Sequence, residues 1–307
     1  MIKLNRMKKI DNLEVFNNNE FDVFFFGKVI DERTEYVLKV IKKPQHRSIS
    51  FSKDELVMFV NGKEKSLIQF ITDDEFKSYS RVIIDSTSLD FPELLYTLYA
   101  LNQVEKDIEI TLIYVEPSSY TRKDSILEED DEYSLSEGVS NFSALPIFSI
   151  NNRQNNKNNN ILLSFLGFEN SMLGQILESD DGATFGKLFA FVAVPAYQAG
   201  WENNSLRKHL SYFEQPKTEL MLYPGNNPYE VLKRLEKIYN AYANIVIAAI
   251  GTKPSTLASA LFLVNKIGKN TIEQQIGAIH DYPIKSRGRS SGIGCISAYI
   301  LSKEKFE

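Results

Sequence analysis

Hydrophobic residues along this chain gather in short runs, and most runs are followed by a polar turn and then by apolar residues at helical spacing. The clearest example covers residues 244–266, NIVIAAIGTKPSTLASALFLVNK. Its first run, residues 245–250, is short and rich in β-branched residues, as in a buried strand. Leu257, Leu261 and Val264 then recur at helical spacing. The stretch predicts a strand, a polar turn and a helix.

The same unit begins each half of the chain. FDVFFFGKVIDERTEYVLKVI predicts a strand at residues 23–26, then Gly27 and a helix begun by Asp31 and Glu32. ILLSFLGFENSMLGQIL repeats this scheme, with Gly167 in the place of Gly27. The two halves therefore open with matching elements.

Later elements keep the same order in both halves. Pro92 and Pro254 hold matching places, and ITLIYVEPSSYTR matches IGAIHDYPIKSR, with the first of these strands expected to end at Glu116. Alternating strands and helices with right-handed crossovers give parallel sheets. We predict an α/β fold built by tandem duplication of a Rossmann-like strand-turn-helix unit, with mainly parallel sheets. Ordinary α/β periodicity without common descent is the alternative.

Polar segments separate the two halves. Residues 121–138 are polar and acidic, and residues 151–160, NNRQNNKNNN, contain no apolar side chain. Such segments bury too little surface to offset their ordering entropy, so they are typical of loops and linkers. We therefore predict two domains, residues 1–150 and residues 151–307.

Composition excludes several classes of protein. Of the 307 residues, 43% are hydrophobic, which is enough for packed cores, and the net charge of −5 argues against bulk nucleic-acid binding. One cysteine and three separated histidines argue against a disulfide framework and predict no metal site. No apolar run approaches the roughly 20 residues of a membrane span, and the start lacks the core of a signal peptide. We expect a cytoplasmic protein that does not bind membranes.

The turn after residues 245–250 has the residue types of an anion-binding site. Gly251 permits close backbone approach, Thr252 and Ser255 supply hydroxyls, and Lys253 supplies a positive charge. In a parallel sheet this turn lies at the carboxyl end of its strand, where the following helix attracts anions. The turn lacks the glycine spacing of a P-loop or of GxGxxG. It predicts a phosphate or carboxylate cradle, and the alternative is an ordinary helix cap with a surface lysine.

A second polar turn follows the predicted strand at residues 82–84. It consists of Asp85, Ser86, Thr87 and Ser88. A carboxylate at the carboxyl end of a strand is placed for catalysis or for binding ribose, but Asp, Ser and Thr are also the preferred N-cap residues. Both interpretations stay open at this point.

These two turns resemble those of a known family. A strand followed by Gly251-Thr252-Lys253-Pro254 and a small-residue helix is similar to the late motif of CARF domains, the Rossmann-like ligand sensors of CRISPR accessory proteins. Those domains usually carry Gly-Gly-Thr-Lys, whereas Ile250 replaces the first glycine here, and no HEPN-like or nuclease motif follows. The turn at residues 85–88 resembles their first ligand-binding turn. The resemblance covers these two motifs and implies binding of a cyclic oligonucleotide or another nucleotide signal.

Acidic residues follow the paired glycines. Glu32 comes after Gly27, and Glu169 comes after Gly167. Carboxylates beside a glycine turn can hold a ribose or a Mg²⁺ ion, although acids in a first helical turn also act on the helix dipole alone. Together with Asp85, Glu32 and Glu169 are the candidate catalytic residues.

One concentrated basic, glycine-rich stretch covers residues 285–294. Arg287 and Arg289, with neighbouring hydroxyls and flexible backbone, suit phosphate groups. A basic loop without a ligand is the alternative.

These patterns predict a protein that binds a nucleotide or another phosphorylated small molecule at the carboxyl edge of its sheets, as a sensor or an accessory component of an antiviral defence system. In this hypothesis Gly251 and its neighbours cradle phosphate, residues 85–88 contact ribose or base, and Arg287 and Arg289 cover the ligand. One alternative is a metal-dependent hydrolase or transferase acting on a phosphorylated or nucleotide substrate. Another is a scaffold subunit of a multiprotein assembly, with a protein partner or a second copy of the chain. The sequence identifies no cofactor.

Overall fold

Two compact units make up the computed structural model. The model describes residues 1–18, 21–42, 44–121, 135–138, 142–150, 160–168, 171–178, 185–214, 217–282, 284–285 and 288–305. Unit 1 comprises Met1–Gly138 together with Ile284–Glu307, and unit 2 comprises Val139–Pro283.

Unit 1 combines strands and helices that we number along the whole chain. Its strands are β1 (Ile2–Ile10), β2 (Val23–Phe26), β3 (Gln45–Ser52), β4 (Val57–Val60), β5 (Lys63–Ser66), β6 (Arg81–Asp85), β7 (Ile108–Tyr120), β8 (Ser136–Gly138), β15 (Ile284–Lys285) and β16 (Ser290–Lys303). Its α-helices are α1 (Glu32–Val40), α2 (Leu67–Ile71), α3 (Glu75–Ser78) and α4 (Phe91–Gln103).

The main sheet of unit 1 has a parallel centre and antiparallel flanks. Its strand order is β1-β16-β7-β6-β2-β3-β4-β5, and the four strands from β7 to β3 run parallel. Val82, Ile83 and Ile84 of β6 are fully buried, as expected of a central strand covered on both faces. Separately, β8 pairs with β15.

Unit 2 is built around one largely parallel sheet. Its strands are β9 (Ser143–Ala144), β10 (Asn160–Phe165), β11 (Lys187–Ala193), β12 (Thr218–Tyr223), β13 (Asn244–Ala248) and β14 (Gln275–His280). Its α-helices are α5 (Ser171–Glu178), α6 (Trp201–Lys208), α7 (Leu210–Phe213), α8 (Pro228–Tyr239) and α9 (Lys253–Lys266). The strand order is β12-β11-β10-β13-β14-β9, and only β9 is antiparallel to its neighbour.

The predicted α/β class with parallel sheets is confirmed, but two predicted boundaries are wrong. Strand β7 does not end at Glu116; it continues to Tyr120, because β16 pairs with it antiparallel from Ser290 to Lys303. The same ladder places residues 284–307 in unit 1, whereas we predicted them in a domain of residues 151–307. The backbone hydrogen bonds between β16 and β7 place this C-terminal segment with unit 1, although it is closer in sequence to unit 2. Most of the predicted linker lies outside the described residues.

Three matched strands have the same arrangement in both units. In unit 1, β2, β6 and β7 lie side by side in that order and run parallel, as β10, β13 and β14 do in unit 2. Gly27 follows the first strand of one set and Gly167 follows the first strand of the other. The tandem duplication stays a prediction that this arrangement supports.

Within the described part of the chain, the helices fall short of the length and apolar character that crossing a bilayer requires.

A buried ion pair links α1 to the β7–β16 ladder in unit 1. The Asp31 carboxylate accepts hydrogen bonds from the Arg33 Nη2 atom at 2.6 Å and from the Ser290 hydroxyl at 2.8 Å. Arg33 also donates to the carbonyl oxygen of Val115 at 3.1 Å. Burial alone raises the pKa of Asp31, but the charge and hydrogen bonds of Arg33 and the bonds from Ser290 and the Thr34 amide outweigh it, so the pKa lies below its ordinary value.

Replacing Asp31 with Asn is therefore expected to lower the free energy of unfolding by about 3–5 kcal/mol at neutral pH, since it leaves a buried guanidinium without its counter-charge. A carboxyl group with a lowered folded-state pKa stabilises the fold above its unfolded pKa of about 3.9, and this stabilisation is lost as the pH falls towards the folded value. The gap between wild type and variant should shrink below about pH 4. Urea unfolding across pH measures it.

Glu35 on the same helix provides the control. It forms an exposed pair with Lys39 at 3.6 Å, so replacing Glu35 with Gln should change stability by less than about 1 kcal/mol. A stability gap between wild type and the Asp31 variant that is the same at every pH would contradict the prediction.

Candidate functional site

The strand order of unit 2 reverses between β10 and β13. After β10 the chain moves outwards to β11 and β12, then crosses back to β13 and β14 on the other side of β10. In open parallel sheets, ligands bind beyond the carboxyl ends of the strands at such a reversal. In unit 2 this place lies at the turns that contain Gly167 and Gly251.

These two turns come so close that neither glycine has room for a side chain. A Cβ atom on Gly167 would lie 2.9 Å from the carbonyl oxygen of Ile250. A Cβ atom on Gly251 would lie 2.9 Å from the Phe165 Cβ atom and 3.1 Å from the Tyr223 hydroxyl. Both glycines are therefore required by close backbone approach.

Thr252 is the N-cap of α9 and anchors this helix to the neighbouring turn. Its hydroxyl accepts the Ser255 amide at 3.3 Å and donates to the carbonyl oxygen of Gly225 at 2.9 Å. The Ser255 hydroxyl donates in turn to the carbonyl oxygen of Thr252 at 2.7 Å. The alternative of a helix cap is thus confirmed for Thr252, and α9 begins at Lys253. Ligand binding by these residues stays a prediction.

Tyr223 ties the end of β12 to the same cap. Its hydroxyl lies 3.4 Å from the Thr252 hydroxyl, and its ring packs edge-on against Phe165 with centroids 5.5 Å apart. Burial raises the pKa of Tyr223, and the bonds to Ser255 and Thr252 offset this only in part. The phenol therefore stays neutral at physiological pH and holds the turn in place.

Three further polar residues lie at the end of β14, the strand beside β13, and directly after it. His280 and Asp281 are buried, with the His280 Nδ1 atom 3.3 Å from the Asp281 carboxylate. The Tyr282 ring packs edge-on against His280, and its backbone has a positive φ of 47°. A bulky residue in this conformation is unusual. These residues were not among the predicted ligand contacts, and their sequence signal is a polar run directly after the apolar strand.

Unit 1 has its own reversal of strand order, between β2 and β6. Strand β3 lies on one side of β2, and β6 and β7 lie on the other. The Gly27 amide donates to the Ser88 hydroxyl at 2.8 Å, and a Cβ atom on Gly27 would lie 2.5 Å from the Ser88 carbonyl oxygen. The turns after β2 and β6 are therefore in direct contact.

The turn at residues 85–88 is buried and hydrogen bonded within unit 1. The Asp85 carboxylate accepts the Thr87 amide at 2.9 Å and the Ser88 hydroxyl at 2.6 Å. The Ser86 hydroxyl donates to the carbonyl oxygen of Ile113 at 2.9 Å. Asp90, not this turn, occupies the N-cap position of α4, so the N-cap alternative is wrong for residues 85–88. Their polar groups hold the end of β6 to the middle of β7.

The remaining candidates fall in unit 1 or outside the described residues. The Glu32 carboxylate accepts the Gly292 amide at 2.9 Å, so it fastens β16 to α1. Arg289 precedes β16, and within the described part of the chain its buried Nε atom has no hydrogen-bond partner. Glu169 and Arg287 lie outside the described residues. Gly251, Thr252, Lys253 and Ser255 are thus the predicted ligand contacts that the structure brings together in unit 2.

The described residues contain no group of three or more His, Cys, Asp or Glu side chains placed to hold a metal ion. No protein-family model and no curated protein matches the sequence.

The close approach at Gly251 gives a direct test of this geometry. Replacing Gly251 with Ala should lower the free energy of unfolding by roughly 1–3 kcal/mol, because the methyl group overlaps Phe165 and the Tyr223 hydroxyl. Urea unfolding measures the change. Replacing Gly268 with Ala is the control, since nothing lies within 4 Å of a Cβ atom there. Equal effects of the two changes would show that the close contacts of Gly251 with Phe165 and Tyr223 are absent.

Proposed function

We propose that unit 2 binds a nucleotide or another phosphorylated small molecule at the carboxyl edge of its sheet, between β10 and β13. The observation that carries this proposal is the order of the five parallel strands, β12-β11-β10-β13-β14. Numbered along the chain this is 3-2-1-4-5, which matches the first five strands of the order 3-2-1-4-5-6 in dinucleotide-binding folds, where the ligand lies at the reversal.

The residues at the reversal suit an anionic group. Helix α9 begins at Lys253 and runs for 14 residues, so the positive end of its dipole lies at the Gly251 turn. Lys253 adds a full positive charge at the same helix end. Thr252, Ser255 and Tyr223 keep the turn rigid, and a rigid turn loses little entropy when a ligand binds.

The nature of the ligand rests on the Gly251-Thr252-Lys253-Pro254 motif. Its resemblance to the late motif of CARF domains favours a nucleotide signal and a role as a sensor or accessory component of a defence system. The turn at residues 85–88 is not assigned to this site, since its side chains bond to one another and to β7.

A binding experiment tests the proposal. Calorimetry and thermal-shift measurements with mononucleotides, dinucleotides and cyclic oligonucleotides should identify a ligand that stabilises the chain. Replacing Lys253 with Ala should weaken this binding about tenfold or more, because a charge-assisted contact contributes roughly 1.5–3 kcal/mol.

Lys269, exposed beyond the other end of α9, supplies the matched control. Replacing Lys269 with Ala should leave the affinity unchanged. Native mass spectrometry of the purified chain adds a search for a retained nucleotide. If no nucleotide binds, or if both lysine variants bind as wild type does, the proposal is wrong.

A further inference from the structure

Strand β12 is one edge of the sheet in unit 2, and among the described strands only β11 lies beside it. The backbone bonds between them fix which residues face inwards. The Leu188 amide donates to the carbonyl oxygen of Lys217 at 2.9 Å, and the Val194 amide donates to that of Tyr223 at 2.7 Å. Odd-numbered residues of β12 therefore turn their backbone groups towards β11.

The even-numbered residues of β12 turn their backbone N–H and C=O groups outwards, because the direction alternates along a strand. These residues are Thr218, Leu220 and Leu222. The residues Leu220 and Leu222 are also exposed to solvent, by 42% and 46% respectively. The same edge thus offers outward-facing backbone groups and two apolar side chains.

The edges of the sheet in unit 1 are protected against the addition of another strand. Strand β1, IKLNRMKKI, carries four cationic side chains and has an irregular register between Leu4 and Arg6. Strand β5, KEKS, is short and charged. Charges, bulges and short length are the usual devices that block pairing at an edge.

Strand β12 lacks these devices. Its sequence, TELMLY, has no proline and one charged residue, and its register with β11 is regular. That charge, Glu219, is neutralised by Lys187 on β11 at 2.7 Å. The opposite edge of this sheet is β9, which is only two residues long. Among the described edges, β12 is the one suited to pairing.

We propose that β12 is a dimerisation edge, which pairs antiparallel with β12 of a second copy of this chain across a two-fold axis. A two-fold axis in this position makes two identical strands antiparallel, and each copy supplies the backbone groups that the other needs. The β12 edge of each copy is then covered by the other copy. The assembly therefore closes at two copies and does not extend into a fibre.

The side chains of β12 fix the register of this pairing. With Met221 opposite Met221 of the second copy, Leu220 of each copy faces Leu222 of the other, and four leucines cover one another. This register also satisfies the backbone, because outward-facing residues then form the hydrogen-bonded pairs. Glu219 falls opposite Tyr223 and not opposite another Glu219. The Lys187–Glu219 pair leaves no uncompensated charge at the edge.

Light scattering coupled to size-exclusion chromatography tests the proposal on the full chain. Wild type should be a dimer at micromolar concentration, and the double change Leu220→Lys with Leu222→Lys should give a monomer, because four lysines would face one another. Both leucines are exposed in the single chain, so far-UV circular dichroism should show that the monomeric variant is still folded. Ile68→Lys is the control, since Ile68 is 73% exposed on α2 of unit 1, and this variant should stay dimeric.

A cysteine at residue 221 tests the register. Opposite residues in a non-hydrogen-bonded antiparallel pair have Cα atoms about 4.5 Å apart, within the range that a disulfide spans. In a Cys295→Ser background, Met221→Cys should form a disulfide-linked dimer under mild oxidation, and Ile68→Cys should not. A monomeric wild type, a dimer that survives the double lysine change, or equal cross-linking at residues 68 and 221 would each overturn the proposal.

Discussion

Both units depend on one constraint. At the carboxyl edge of each parallel sheet, a glycine lets the backbone approach a neighbouring element too closely for any side chain. In unit 1, Gly27 lies against the backbone of Ser88; in unit 2, Gly167 lies against Ile250 and Gly251 against Phe165. Any larger residue must push the turns apart, since no Cβ atom fits there. The missing side chains therefore allow two neighbouring parallel strands to end together where the strand order reverses. Open parallel sheets bind ligands at such a reversal.

In unit 1, several candidate site residues form hydrogen bonds to the backbone of the fold itself. Thr87 accepts the amide of Val115, and Glu32 accepts the amide of Gly292. A buried backbone amide without a partner is costly, so Thr87 stabilises β7 where the Val115 amide would otherwise be unpaired. The Glu32 bond is exposed and fastens β16 to α1. The same residue types would suit a ligand. Their partners in the fold decide between the two roles, and in unit 1 the partners are internal.

Local sequence patterns predicted the strands and helices. They did not predict features that depend on residues far away in the sequence. Strand β2 and the start of α1 follow from a short apolar run and the capping residue Asp31, all within one segment. The length of β7 depends on β16, and the role of Asp31 depends on Ser290, far along the chain. No periodicity in one segment contains that information. The Gly251 turn was predictable because its cap and its helix are contiguous, whereas its bond to Gly225 was not.

Strand β12 joins the two proposals in unit 2. Its outer edge carries Leu220 and Leu222, and its last residue, Tyr223, contacts the cap of α9 at Thr252. A second copy held along β12 would fix the strand that positions Tyr223, and a ligand at the Gly251 turn would fix the same residue from the other side. If binding at one place alters affinity at the other, the effect is reciprocal, so the dimer would change the affinity for the ligand by the same factor as the ligand changes the affinity for the second copy. Tyr223 is the residue of β12 through which such an effect would pass, because it alone among these residues lies on the strand and contacts the cap.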